Sequence, residues 1–190
     1  MQKITITIVL AMLCLAPCCH AQEESPPKQF YIDDPLPDIT FSKLLFYKDS
    51  AAKLSDFKGK LVLFDFWFTG CSVCIEKMPE MDSIQKHFQN QVQVIMVTKD
   101  SKEKVLPVIK RWENQYHLPW TIPLIVSDTL LHQYFPHRAE PNYVWYAPEN
   151  RFVAQTSSFF ITREIIENYL KGLDDEIIRS GYLPDSIYRN

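Results

Sequence analysis

The chain has 190 residues, 46% of them apolar, and a formal net charge of −3. That length suits one folded domain with a sizeable core, and 20 basic against 23 acidic residues leave no basic patch of the kind nucleic acid requires. Its four glycines, Gly59, Gly70, Gly172 and Gly181, are too far apart for a phosphate-cradling loop, and no internal repeat is present.

Residues 1–21 read as an export signal. Met1-Gln2-Lys3 gives a basic start, residues 4–15 are apolar but too few to span a membrane comfortably, and Cys19-His20-Ala21 forms a small-x-small cleavage site. A mature periplasmic protein beginning at Gln22 is expected. Leu15-Ala16-Pro17-Cys18 offers the leucine of a lipidation signal but puts proline where a small residue belongs, so a lipid anchor on Cys18 or Cys19 is the lesser alternative. Cleavage removes Cys14, Cys18 and Cys19 and leaves two of the five cysteines, Cys71 and Cys74.

Residues 22–37 are polar and broken by Pro26, Pro27, Pro35 and Pro37, a lead-in arm to a domain expected over 38–175, with a tail at 176–190. Residues 39–47 and 52–54 are expected to pair as an opening hairpin. The run 61–67 is apolar on both alternating faces except at Asp65, which predicts a central strand of the parallel type, covered on both sides. A helix follows with Cys74, Met78, Met81, Ile84 and Phe88 on one face, and Pro79 is expected to kink it. Residues 92–98 read as the next strand. Val105, Val108, Ile109 and Trp112 mark a second helix, expected to begin near Pro107 because proline is welcome in a first turn. Residues 122–126 form a short apolar strand, and 142–147 with 152–155 form a hairpin around Pro148-Glu149-Asn150. A last helix starts after Thr162 with Ile165, Ile166, Tyr169, Leu170 and Leu173 inward. The order is α/β.

Cys71 and Cys74 can be a staple, a metal clip or a reagent. A strand that turns directly into a helix puts Cys71 at the first helical turn, where unpartnered backbone N–H groups and the helix dipole stabilise a thiolate. Its pKa is then expected below the free value of about 8.5. Cys74, three residues on, lies on the same face within reach of it. As a staple, the pair closes too small a loop to restrict the unfolded chain much. As a zinc clip it lacks two ligands, and His87, His117, His132 and His137 do not stand in a ligand-like pattern with it, so neither a metal nor another cofactor is expected. Asp65 is costly to bury as an ion, so it either reaches water at a strand edge or retains a usable proton. Phe66 and Trp67 read first as core.

Leu36-Pro37-Asp38-Ile39, Asp56-Phe57-Lys58-Gly59-Lys60-Leu61-Val62, Phe66-Trp67, Cys71-Ser72-Val73-Cys74, Met78-Pro79 and the downstream Pro141 together resemble the thioredoxin superfamily. The detail is similar to its exported TlpA/ResA-type thiol-disulfide oxidoreductases, over residues 36–171. The resemblance implies a thioredoxin-like fold: a central mixed β-sheet flanked by helices, here with an N-terminal β-hairpin extension. It implies a redox-active Cys71–Cys74 disulfide, with Cys71 exposed and nucleophilic, Cys74 resolving, and Asp65 as the buried acid that moves the proton of Cys74. Trp67, Gly70, Glu140 and Pro141 are the implied substrate contacts, with Glu140-Pro141 cis. Glu140 either holds its carboxylate near Cys71, raising the thiol pKa and favouring a reductant, or is an ordinary loop residue. The implied partners are protein thiols and disulfides, among them those of cytochrome maturation, and an electron-donating thiol-disulfide protein. The chain departs from the family at Lys77, where an acid is usual, with Glu76 one place earlier, and at Gly70, where many relatives carry a bulky residue. A peroxidatic P-x-x-x-[ST]-x-x-C pattern fails, since Phe64 and Phe68 occupy its places before Cys71. A non-enzymatic thioredoxin-like module with an inert disulfide or a metal-binding pair is the competing class.

Overall fold

A computed structural model describes residues 30–180, with side chains placed through 172. The expected signal at 1–21 with Cys14, Cys18 and Cys19, the arm before residue 30, residues 181–190 and the side chain of Leu173 lie outside the described residues. The strands are β1 (Thr40–Ser42), β2 (Leu44–Leu45), β3 (Ala51–Lys53), β4 (Leu61–Phe66), β5 (Val92–Val97), β6 (Leu124–Ile125), β7 (Asn142–Ala147) and β8 (Arg151–Thr156). The helices are α1 (Ser72–His87), α2 (Lys102–Tyr116), α3 (Leu130–Tyr134) and α4 (Arg163–Ser180).

Six strands form one sheet in the order β2-β6-β5-β4-β7-β8, and β1 pairs with β3 in the expected hairpin. β4, β5 and β6 are parallel, whereas β7, β8 and β2 run antiparallel to their neighbours. The central β4 is therefore of the parallel type along one edge only. This is the thioredoxin-like mixed sheet flanked by helices.

Alternation along β4 explains its unbroken apolar run. Leu61, Leu63 and Trp67 pack against Met78, Met81 and Ile84 of α1, Trp112 of α2 and Ile166 of α4. Val62, Phe64 and Phe66 face the opposite layer of Phe41, Phe57, Leu131 and Phe135. Each such side chain, fully buried, contributes roughly 1.5–3 kcal/mol. Asp65 shares the parity of Leu63 and Trp67 and so points toward the α1 layer.

Three local expectations need correction. The first hairpin strand breaks at Lys43, whose φ is 59°: Leu44 N–H still donates to the Ser50 carbonyl at 3.0 Å, but Leu44 and Leu45 pair with Ile125 and Leu124. Helix α2 starts at Lys102, well before Pro107, with the Lys104 and Val105 N–H groups donating to the Ser101 carbonyl. Pro107 forfeits one bond inside it, a loss offset by the buried stripe Val105, Val108, Ile109 and Trp112. In α4, Ile166 and Leu170 are buried but Ile165 is exposed, because it lies about 100° round the helix from its neighbour. That helix also runs to Ser180, past the tail boundary expected at 176. Through Pro79, α1 continues without interruption.

The described end of the arm packs on the domain. Phe30 and Leu36 are buried, Asp33 N–H donates to the Phe152 carbonyl at 2.8 Å, and Phe152 N–H donates to the Asp34 carbonyl at 2.9 Å.

Candidate active site

The turn from β4 into α1 is held from both sides. Trp67 N–H donates to the Val97 carbonyl at 3.0 Å, which extends the β5 pairing one residue past the strand. Thr69 then donates both its N–H and its hydroxyl to Asp100 Oδ2, each at 2.8 Å. Burial opposes ionisation of Asp100, but the Thr69 hydrogen bonds and Lys104 outweigh it and lower its pKa. Gly70 sits exposed at the tip, where an added Cβ would meet the Phe68 ring at 3.0 Å.

Cys71 occupies the N-cap of α1 and is joined to Cys74 by a disulfide. Its Sγ accepts the Cys74 N–H at 3.1 Å, so one of the four unpartnered amides of the helix start already points at the sulfur that would carry a thiolate. Cys71 is 7% exposed and Cys74 2%, so both are buried in the disulfide form and the exposed Cys71 that the resemblance implies is not seen. Phe68 and Val73, 45% and 49% exposed, stand on either side of it in sequence as apolar surface.

Asp65 is 2% exposed and its Oδ1 has no hydrogen-bond partner, which removes the wet-edge reading. Desolvation pushes its pKa well above the ordinary aspartate range, and the charge of Glu140 pushes the same way. Tyr143, opposite it in register on β7, lowers it slightly without a hydrogen bond of normal geometry, as both Oδ1 and the phenol oxygen remain unpartnered. Burial and the nearby Asp65 keep the Tyr143 phenol protonated. No hydrogen bond joins Asp65 to Cys74 in the disulfide form; the two share the same apolar layer by strand parity.

Glu140-Pro141 is cis, as expected. The group that Glu140 turns to Cys71 is its backbone carbonyl, 3.8 Å from Sγ, and not the carboxylate. The carboxylate Oε1 lies 3.4 Å from His137 Nε2 and 3.6 Å from His132 Nε2. Burial would raise its pKa, but the two imidazoles overcome that and bring it down to about 2. Burial lowers the His132 pKa; the hydrogen bonds to Asp128 and Glu140 and the charge of Asp128 outweigh this and raise it. His132 Nδ1 is 2.7 Å from Asp128 Oδ2, and His137 Nδ1 is 2.8 Å from the Phe135 carbonyl. Both rings stand edge-on to Phe66. His132, His137 and Glu140, with Trp67, Phe68 and Lys99, line a cleft of about 480 Å³.

Residues 32–167 match the AhpC/TSA family. The chain belongs to that family. Among its relatives, the thioredoxin-like protein YneN of Bacillus subtilis is 34% identical over 48% of this chain and 51% of its own length. Thiol-disulfide oxidoreductases ResA are 26% identical in Oceanobacillus iheyensis, over 62% of this chain and 60% of the relative, and 25% identical in Geobacillus kaustophilus, over 72% and 75%. The chain thus spans about half to three fifths of the first two relatives. The thioredoxin domain of a thiol-disulfide oxidoreductase from Bacteroides vulgatus shares the fold at TM-score 0.57 and 24% identity, over 76% of this chain and 99% of that one. Enterococcus faecalis AhpC does so at 0.58 and 18%, over 80% and 97%.

Of the residues singled out from the sequence, Cys71, Cys74 and Glu140 meet at one end of the sheet beside Pro141, and Asp65 lies beneath them on the α1 face. Trp67 is fully buried and acts as packing and cleft wall, its bland reading. Sequence reasoning missed Thr69 with Asp100, Tyr143, and the gathering of His132 and His137 on Glu140. The spacing H-x-x-x-x-H-x-x-E within residues 132–140 was the available signal.

Proposed function

We propose that this protein is an exported thiol-disulfide oxidoreductase that reduces disulfides of other proteins in the periplasm, cytochrome-maturation proteins among them, with the Cys71/Cys74 pair as its redox centre. The observation that carries this reading is the pairing of a sulfur at the α1 N-cap, contacted by an amide, with a buried carboxyl in the layer below whose Oδ1 has no hydrogen-bond partner. Names of the ResA relatives support it. In the reduced protein the Cys71 thiolate attacks one sulfur of the substrate disulfide and displaces the other as a thiolate, leaving a mixed disulfide. Cys74 passes its proton to Asp65 and attacks Cys71 Sγ. The Cys71–Cys74 bond forms, the bond to substrate breaks, and the second substrate sulfur leaves as a thiolate. Two electrons pass to the substrate, and an electron-donating dithiol protein returns them. A carboxyl with a raised pKa holds a proton firmly enough to exchange it with a thiol near neutral pH. The Ser72-Val73 pair provides no histidine to stabilise the Cys71 thiolate, which favours a reductant over an oxidant.

Trapping tests the roles. Cys74→Ser accumulates a mixed disulfide with substrate and Cys71→Ser does not; equal trapping by both overturns the assignment. Export at residues 1–21 gives a mature mass beginning at Gln22, and an acylated N-terminal cysteine would replace that reading with the lipid-anchored one.

A further inference from the structure

We propose that His132, His137 and Glu140 form a binding site for a divalent late first-row transition ion of the zinc type, built without either sulfur. One ligand atom from each residue lies within 4.8 Å of the others. Around a tetrahedral ion with bonds of about 2.0–2.1 Å, neighbouring ligand atoms stand about 3.4 Å apart. Glu140 Oε1 is 3.4 Å from His137 Nε2 and 3.6 Å from His132 Nε2.

The outer contacts fix which nitrogens face inward. His137 Nδ1 faces a carbonyl, which can only accept, so Nδ1 carries the proton and the neutral ring presents the Nε2 lone pair. His132 Nδ1 bonds a carboxylate that is itself anchored by the Leu131 and His132 amides, with the same result. Histidines that ligate metals are held in this way by a carboxylate or a carbonyl behind the ring. With both rings neutral, two lone pairs and a carboxylate converge on one another, an arrangement that needs either protons or a cation between them.

Two of the atoms are left in deficit. His132 Nε2 and Glu140 Oε2 are buried with no hydrogen-bond partner; an ion in the site would take up the first directly, and the second where the carboxylate binds through both oxygens. The competing arrangement is a pair of imidazolium–carboxylate bonds. Those run about 2.7–2.9 Å, as the His132–Asp128 contact of 2.7 Å does, and the two contacts to Glu140 are longer. Lys99 and Arg138 line the same cleft with Asp100 and Glu140, and Asp128 stands behind His132, so with Lys104 on Asp100 the cations do not outnumber the carboxylates. The cleft leaves room for a water as fourth ligand, and two nitrogens with one oxygen suit zinc, copper or nickel better than the all-oxygen-seeking magnesium or calcium.

The inference does not depend on the dithiol chemistry, and its test uses the oxidised full chain, untagged and stripped with chelator, so that Cys71 and Cys74 cannot ligate. Titration with Co²⁺ should give one saturable equivalent with visible bands of a four- or five-coordinate ion and no thiolate charge-transfer band, and Zn²⁺ should displace it. Glu140→Gln and His137→Ala should each weaken Zn²⁺ binding by about 10-fold or more, and Asp128→Asn by about 10–100-fold, with circular dichroism confirming the fold. If His137→Ala does not fold, Glu140→Gln and Asp128→Asn decide the matter. No saturable binding by the oxidised wild type, or binding that survives these substitutions unchanged, overturns the proposal.

Discussion

Two carboxyl side chains lie near one disulfide and are treated oppositely. Asp65, in the layer beneath, sees apolar side chains and a like charge, and its proton is held well above the ordinary range. Glu140, in the wall beside it, is also largely enclosed, yet two imidazoles bring its pKa down to about 2. The chemical group is the same; the neighbours decide whether it stores a proton or a charge. A strand supplies the first setting, since parity aims Asp65 into a packed layer, and a loop supplies the second, since only irregular backbone brings residues 132, 137 and 140 onto one point.

The largest effect on this contrast should come from the wall. His132→Ala leaves Asp128 without its ion-pair partner and Glu140 with His137 alone, and should cost about 3–5 kcal/mol in urea unfolding. A loss under about 1 kcal/mol would mean that the wall is not electrostatically organised.

Next comes the floor. Asp65→Asn should slow thiol-disulfide exchange by about 100-fold near pH 7 and less at high pH, where Cys74 ionises unaided. An equal deficit at all pH values would leave Asp65 a structural residue.

The same variant should be more stable than the wild type above neutrality, by about 1–3 kcal/mol. The sign follows from linkage: the folded-state pKa of Asp65 is raised, so its contribution is fully present below about pH 4 and is lost as pH rises toward the folded value. The two stability curves should therefore meet in acid and separate toward high pH.

Glu140→Gln, measured with chelator, should give the opposite and smallest effect. Its depressed folded pKa adds stability above about pH 4 that disappears as pH falls toward 2, and partial solvent exposure reduces the difference to about 1 kcal/mol. Parallel slopes for the Asp65 and Glu140 variants would erase the distinction between floor and wall.

Much of the floor was legible in the sequence and little of the wall. A seven-residue apolar run broken only by Asp65, followed at once by two cysteines three apart, carries strand parity and helix position in itself. The bonds from Thr69 to Asp100 span 31 residues, and neither residue is marked locally. The strand break at Lys43 was equally hidden, because a left-handed φ is signalled by glycine or asparagine and lysine gives no sign of it. Residues 132 and 137 are five apart, which fits neither a helix face nor a strand face, so periodicity could not join them; a cap on α3 and a turn toward Pro141 do. Pro107 misled for a related reason, since a proline can stand inside a helix when the stripe around it is buried deeply enough.

The docked arm has a consequence for association between copies of the chain. A sheet with free edges offers rows of unpaired amides and carbonyls to any second strand. At one edge β2 is only two residues long, too short a template. At the other, residues 33 and 34 occupy both backbone groups of Phe152, and Arg151 Nη1 reaches Asp33 at 2.7 Å. The arm thus acts as a cover strip on β8, and a chain trimmed to residue 36 would expose that edge and acquire a concentration-dependent tendency to self-associate.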